Sequence, residues 1–168
     1  MKKKIFIVLL VLLVLIQFFR PARNTSAAKS PADISNAYAV PEDVNTILTK
    51  ACFDCHSNNT NYPWYANIQP VAWWLDNHIQ EGKEELNFSE FGAYRPAKQF
   101  HKLEEVKEML DEDEMPLQSY TIIHTDAKLT GAEKEKLVQW SEDIRSQMKN
   151  KYPADSLVMK RGPKPPTQ

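Results

Sequence analysis

The sequence feature that most constrains this chain is the string Cys52-Phe53-Asp54-Cys55-His56, which follows the pattern C-x-x-C-H. The chain has only two cysteines, and both lie in this string. Two thiols three positions apart can each add to one vinyl group on the same edge of a porphyrin, and histidine is a standard ligand of haem iron. The string therefore predicts one covalent haem c per chain, attached to Cys52 and Cys55, with His56 bound to the iron.

Three other interpretations of the two cysteines are a dithiol redox pair, a local disulfide and half of a zinc site. A thioredoxin-like pair is expected near a βαβ pattern, and a zinc site needs a second pair of cysteine or histidine ligands at suitable spacing. The sequence has neither feature. Haem attachment is therefore the favoured interpretation.

The first twenty residues differ in composition from the rest of the chain. Three lysines at positions 2–4 precede an apolar run over 5–19 that only Gln17 interrupts, which is typical of an export signal. As a helix the run would be about 22 Å long, against about 30 Å for the hydrocarbon core of a membrane. Small residues suited to cleavage come late, so we expect residues 1–20 to be a retained membrane anchor rather than a cleaved signal. The expected localisation is a bacterial cytoplasmic membrane, single-pass, with lipid contact through 5–19 and the haem domain facing the periplasm.

The remaining chain has the composition of one folded domain. Lysine plus arginine (21) nearly balances aspartate plus glutamate (22), so no general positive field exists to hold nucleic acid. Residues 21–39 lack periodicity and predict a linker. Residues 40–151 are expected to form the domain, and residues 152–168 a proline-rich, extended tail.

Apolar residues recur at helical spacing in four segments of the domain, and no segment alternates for long enough to predict a strand. The segments begin near Pro41, Pro70, Pro96 and Gly131. The third is expected to run from Pro96 to Asp111, and Thr130 with Glu133 predicts a capping box before the last helix. The expected fold is all-α.

The iron ligand opposite His56 is less constrained. The candidates are Met115, His78, His101, His124, Met109 and Met148. Met115 precedes Pro116 in a predicted loop, and a methionine opposite histidine raises the haem reduction potential, which suits electron transfer. His78 falls on the apolar face of its predicted helix, where a buried, hydrogen-bonded histidine is the usual outcome. Met115 is preferred, and His78 is the main alternative.

Aromatic residues are concentrated just after the cysteine motif. Among five tyrosines and tryptophans between positions 62 and 74, Tyr62 and Trp64 are fixed by a Tyr-Pro-Trp turn and are predicted to bind haem propionates.

Acidic residues are concentrated further along the chain. Between positions 81 and 114, eleven acidic residues outnumber five basic ones. This run predicts a solvated face, or alternatively a docking surface for a basic redox partner.

From Ile16 to about Trp140 the chain resembles the bacterial haem-binding domain family, which comprises membrane-tethered c-type cytochromes with a single haem. The resemblance implies haem on Cys52 and Cys55, with His56 and Met115 as iron ligands. A methionine-proline pair before a capped helix is also distantly similar to class I cytochromes c, which implies a cytochrome c-like helical domain. The strings that carry the resemblance are residues 16–21, 52–58, 62–65, 70–74, 86–89, 114–116 with Ser119-Tyr120, and His124.

These predictions favour an electron carrier over an enzyme. A haem with both axial positions filled leaves no open site for a substrate, and no motif ties a proton-transfer group to the iron. The alternative is a haem-based sensor or gas-binding module in which a small gas displaces Met115. Peroxidase activity is a third interpretation.

Overall fold

The computed structural model describes residues 1–159, which form eight α-helices and four short 3-10 helices, with no strand among them. The all-α prediction is therefore confirmed for this part of the chain. The α-helices are α1 Lys2–Ile16, α2 Ile34–Ala37, α3 Glu42–Ala51, α4 Phe53–His56, α5 Val71–Glu85, α6 Pro96–Asp111, α7 Gln118–Thr121 and α8 Gly131–Lys151. The 3-10 helices are Trp64–Asn67, Phe88–Ala93, Thr125–Ala127 and Ala154–Leu157.

Local sequence signals set the ends of the two long C-terminal helices. Pro96 occupies the first turn of α6, where its missing amide hydrogen has no intrahelical partner to lose. At the start of α8 the Glu133 amide donates to the Thr130 hydroxyl at 3.3 Å, and the Thr130 amide donates to the Glu133 carboxylate at 2.9 Å. The predicted capping box is confirmed.

The hydrophobic core lies where α6 and α8 pack together and α3 lies against α8. Leu103 of α6 and Met148 of α8 are fully buried, and Leu48 of α3 is 1% exposed. Burial of one such side chain contributes roughly 1.5–3 kcal/mol. The end of α3, where the cysteine motif follows, is therefore fixed to the most tightly packed part of the domain.

The segment predicted as a linker, residues 21–39, makes specific contacts with the domain. The Asn24 side chain donates to the Ser57 carbonyl and the Thr60 hydroxyl, both at 2.9 Å, and accepts a hydrogen bond from Lys83 at 2.6 Å. Ile34 is 2% exposed and belongs to the core. This segment therefore lies on the domain as an ordered strap.

The C-terminal segment predicted as an extended tail begins with folded structure. The 3-10 helix Ala154–Leu157 packs on α6, and Leu157 is buried. Residues 160–168 of the predicted tail lie outside the described residues.

The prediction of an N-terminal membrane helix is wrong. Helix α1 has 15 residues, or about 22 Å at 1.5 Å per residue, against a hydrocarbon core of about 30 Å. Within residues 1–159, no helix combines the length and the apolar character needed to cross a membrane. Helix α1 ends at Ile16, and the side chain of the next residue, Gln17, exchanges hydrogen bonds with the Gln69 backbone at 2.9 and 3.2 Å. The predicted localisation, in which the chain crosses the membrane once and the haem domain faces the periplasm, is therefore wrong as well.

Candidate functional site

The cysteine motif occupies the single turn of α4, directly after α3. The amides of Cys55 and His56 donate to the Cys52 carbonyl at 3.2 and 2.9 Å, so one helical turn spaces the two thiols. Neither cysteine is in a disulfide. Burial raises the pKa of the Cys52 thiol to about 12 and that of Cys55 to about 11. Dithiol redox motifs depend on a low thiol pKa, so this environment does not favour that interpretation.

The zinc interpretation also lacks support. Over residues 1–159, no group of three or more histidine, cysteine, aspartate or glutamate side chains is arranged to hold a metal ion. A structural zinc site needs four such ligands. The two thiols therefore lack the partners that this kind of site requires.

The His56 imidazole is oriented by a backbone carbonyl. Its Nδ1 atom lies 2.9 Å from the carbonyl oxygen of Leu86. Because a carbonyl can only accept, Nδ1 carries the hydrogen and Nε2 keeps its lone pair for a metal ion. Burial lowers the pKa of His56, which favours the neutral imidazole that binds metals.

Helix α5 approaches the motif closely at Gly82. An added Cβ at Gly82 would lie 2.9 Å from the carbonyl oxygen of Cys55 and 3.1 Å from its Cβ. A residue with a side chain would force the two backbones apart. Gly82 therefore allows α5 to pass beside the motif, and the chain reaches Leu86 four residues later, where it meets His56.

Two cavities of about 380 and 320 Å³ adjoin at the motif, each within the usual size range of ligand sites. Cys52, His56, Met115 and Pro116 line both, together with Ala51 and Glu85. The walls of the larger cavity are mainly apolar. They include Leu48, Leu86, Phe88, Val106, Leu110, Leu129 and Leu137.

The smaller cavity brings together all four residues predicted to hold the haem: Cys52, Cys55, His56 and Met115. Two thiols, a free imidazole nitrogen and a thioether beside apolar walls fit the chemistry of a haem c. Residues of α4, α5 and the α6–α7 loop therefore converge on one site.

Tyr62 and Trp64, predicted to bind propionates, line neither of these cavities. The Tyr62 hydroxyl accepts a hydrogen bond from the Asn24 amide at 2.8 Å. Trp64 is 76% exposed. The structure does not bring these two residues to the site, because the turn that holds them packs against the N-terminal strap.

Met115 has two competitors within the cavities. His78 lines the smaller cavity, and its Nδ1 donates to the Trp74 carbonyl at 2.9 Å. Met109 lines the larger cavity, and its carbonyl accepts from the Met115 amide at 3.2 Å. Only Met115 of these three lines both cavities.

The remaining ligand candidates do not line either cavity. His124 Nε2 is 2.6 Å from the Tyr65 hydroxyl, and His101 Nε2 is 3.0 Å from a Glu105 oxygen. Met148 is fully buried in the core. Neither cavity includes any of the three in its lining.

One contact beside the motif was not predicted from the sequence. The Tyr120 hydroxyl donates to Asp54 Oδ2 at 2.7 Å, and its ring stacks on His124 at 4.3 Å. Burial and the hydrogen bond to Asp54 hold the pKa of Tyr120 well above its usual value. Tyr120 also lines the smaller cavity. It therefore fixes the centre of the motif and forms part of the cofactor wall.

Comparison with known proteins adds a family assignment. A family model described as a haem-binding domain matches residues 11–143, a range that includes every residue lining the two cavities. Searches of curated proteins and of solved structures gave no match.

Proposed function

Because this chain belongs to the haem-binding domain family, we propose that it holds one haem c covalently and serves as an electron carrier. The observation that carries the proposal is the convergence of Cys52, Cys55, His56 and Met115 on one cavity. When bound, haem supplies a one-electron change at its iron.

Each of these residues has a distinct task. The thiols of Cys52 and Cys55 would each add across one vinyl group of the haem, and the resulting thioether bonds would prevent loss of the cofactor. His56 offers Nε2 to the iron, while the Leu86 carbonyl fixes the ring through Nδ1. Met115 offers its sulfur as the second ligand, which favours the reduced state and raises the reduction potential.

The apolar walls support the same task. Leu48, Val106 and Leu137 line the larger cavity and would cover the porphyrin faces against water. A dry surrounding with fixed ligands changes little between oxidation states, so electron transfer needs little rearrangement. Because His56 and Met115 would both bind the iron, no position on it would be left for a substrate, which is why the proposal is a carrier rather than an enzyme.

The acidic run of the sequence reaches the cavity walls and supports a basic redox partner. Glu81, Glu85, Glu105 and Glu108 all line the cavities. A positively charged partner would be attracted to the region where the cofactor lies, and complementary charge speeds encounter. The rate of electron exchange with such a partner should fall as salt is added.

Extraction in acidified organic solvent tests covalent attachment. Haem should stay with the wild-type polypeptide and with Met115→Ala, which keeps both thiols. The double variant Cys52→Ala with Cys55→Ala should release it. Free extraction from the wild-type protein would overturn the proposal.

Carbon monoxide binding to the reduced protein separates a carrier from a gas sensor. A carrier with Met115 on the iron should resist carbon monoxide and exchange electrons rapidly with a redox protein. Fast, tight binding by the wild-type protein would instead favour the sensor, with Met115 displaced by the gas.

A further inference from the structure

The walls of the two cavities carry negative charges close to where the haem propionates would lie. A haem brings two propionate carboxylates with it, yet the cavity walls already contain carboxylates. Glu81, Glu85, Glu105 and Glu108 line them, as does Asp54. A propionate placed among these groups would be repelled unless a cation stood beside it.

Lys102 of α6 is the one lysine or arginine in the lining of either cavity, within the described residues. Its side chain is only 12% exposed, and Nζ lies 2.9 Å from Glu85 and 2.6 Å from Glu105. Burial works against the charged ammonium, but the hydrogen bonds to Glu105 and Glu85 outweigh it and raise the pKa of Lys102. A persistent positive charge is therefore held at the wall of the larger cavity.

One of the two partners of Lys102 is readily replaced. The Glu85 side chain is 77% exposed, whereas that of Glu105 is 33% exposed. Glu85 can turn into solvent, since most of its side chain is already in contact with water. Exchange of the Glu85 carboxylate for a propionate would leave Lys102 paired and would not increase the number of carboxylates beside it.

We propose that Lys102 is the counter-ion of one haem propionate. This inference rests on the proposed function, because it requires a haem in the cavities. It adds a cofactor-binding residue on α6, outside the motif and outside the predicted ligand set.

The test is the pH dependence of the reduction potential of the haem-loaded full chain. Removal of any nearby cation changes the reduction potential at every pH. The decisive quantity is therefore the pH at which ionisation of the propionate produces a step in the plot of reduction potential against pH. A cation in contact lowers a carboxyl pKa by about 1–3 units. In Lys102→Met the step should therefore move upward by about 1 pH unit or more. In Lys102→Arg, which keeps the charge, it should stay close to the wild-type position.

Lys107→Met is the matched control, since Lys107 lies on the same helix, is 42% exposed and pairs with Asp111 away from the cavities. In Lys107→Met the step in reduction potential should occur at the same pH as in the wild type. A second control removes the two protein carboxylates that Lys102→Met would leave unpaired. In a Glu85→Gln, Glu105→Gln background, the step should still move upward on loss of Lys102.

The outcomes are distinguishable. An unchanged step in Lys102→Met, or a shift that vanishes in the Glu85→Gln, Glu105→Gln background, would overturn the role of Lys102 and leave covalent haem binding intact. Haem that extracts freely from the wild-type chain would overturn covalent attachment, and a chain that binds no haem at all would overturn both proposals. If Lys102→Met fails to fold, Lys102→Gln carries the same expectation and is measured in its place.

Discussion

The backbone of Gly82 in α5 lies against the carbonyl of Cys55, so closely that an added Cβ would be 2.9 Å from the carbonyl oxygen. This approach joins α5 to the motif turn and leads the chain to Leu86, whose carbonyl orients His56. One residue without a side chain thus links the cysteine motif to the carbonyl group that orients His56.

Replacement of Gly82 by alanine should destabilise the protein by about 1–3 kcal/mol, because a backbone oxygen cannot turn away from the new methyl group and the two helices must separate. Helix propensity alone predicts the opposite sign, a gain of about 1 kcal/mol. Urea unfolding of the haem-loaded protein measures the difference. Gly131→Ala is the control, since a Cβ there meets nothing within 4 Å. Equal losses in the two variants would contradict the close-packing argument.

Met115→Ala should lower the reduction potential and abolish the weak red absorption band that accompanies iron–methionine ligation in the oxidised protein. Absorption spectroscopy and a redox titration measure both effects. Met109→Ala removes a second methionine from the cavity walls and should leave the band in place. A spectrum unaffected by Met115→Ala but altered by His78→Ala would assign the ligand to His78.

Asn24→Ala should cost about 1–3 kcal/mol of stability, because it removes three hydrogen bonds, two of which are buried. The lost contacts are those to Ser57, Thr60 and Lys83. Asn36→Ala removes an exposed amide that bonds only to backbone carbonyls, and it should cost less than Asn24→Ala. Chemical denaturation compares the two. A neutral Asn24→Ala would show that the strap is not needed for folding.

The Glu133 carboxylate should make the stability of the folded protein sensitive to acid. The hydrogen bonds from Lys50 and the Thr130 backbone lower the pKa of Glu133 from 4.5 to about 2. A depressed carboxyl pKa contributes stability above the unfolded value, so this contribution should be lost as the pH falls from about 4.5 to about 2. Because solvent screens the exposed pair, we expect only about 1 kcal/mol.

The variant Glu133→Gln keeps an acceptor for the capping box but removes the charge. It should lose that stability at neutral pH and show a weaker pH dependence in the same range. Glu135→Gln, on an exposed residue of the same helix, is the control. Chemical denaturation between pH 2 and 7 measures the stability of both variants. The same pH dependence in Glu133→Gln and Glu135→Gln would contradict the assignment to Glu133.

The sequence alone predicted the features that depend on neighbours three or four positions apart. The spacing of Cys52, Cys55 and His56 matches one helical turn, and the Thr130–Glu133 box marks the start of α8. The limits of α6 followed from Pro96 and a helical stripe of apolar residues. Such features can be predicted because helical hydrogen bonds and side-chain contacts recur at these short separations.

Only the tertiary structure decided which distant groups meet. Leu86 orients His56 from 30 positions away, and Tyr120 reaches Asp54 across 66 positions. Hydrophobic periodicity predicts which face of a helix is buried but not which face it will meet, so no local pattern places these groups together. The contact between the Asn24 amide and the Tyr62 hydroxyl, 38 positions apart, is likewise set by the tertiary structure alone. Helix α1 ends at Ile16, and the Gln17 side chain that follows bonds to the Gln69 backbone 52 positions away, a contact that no local pattern predicts.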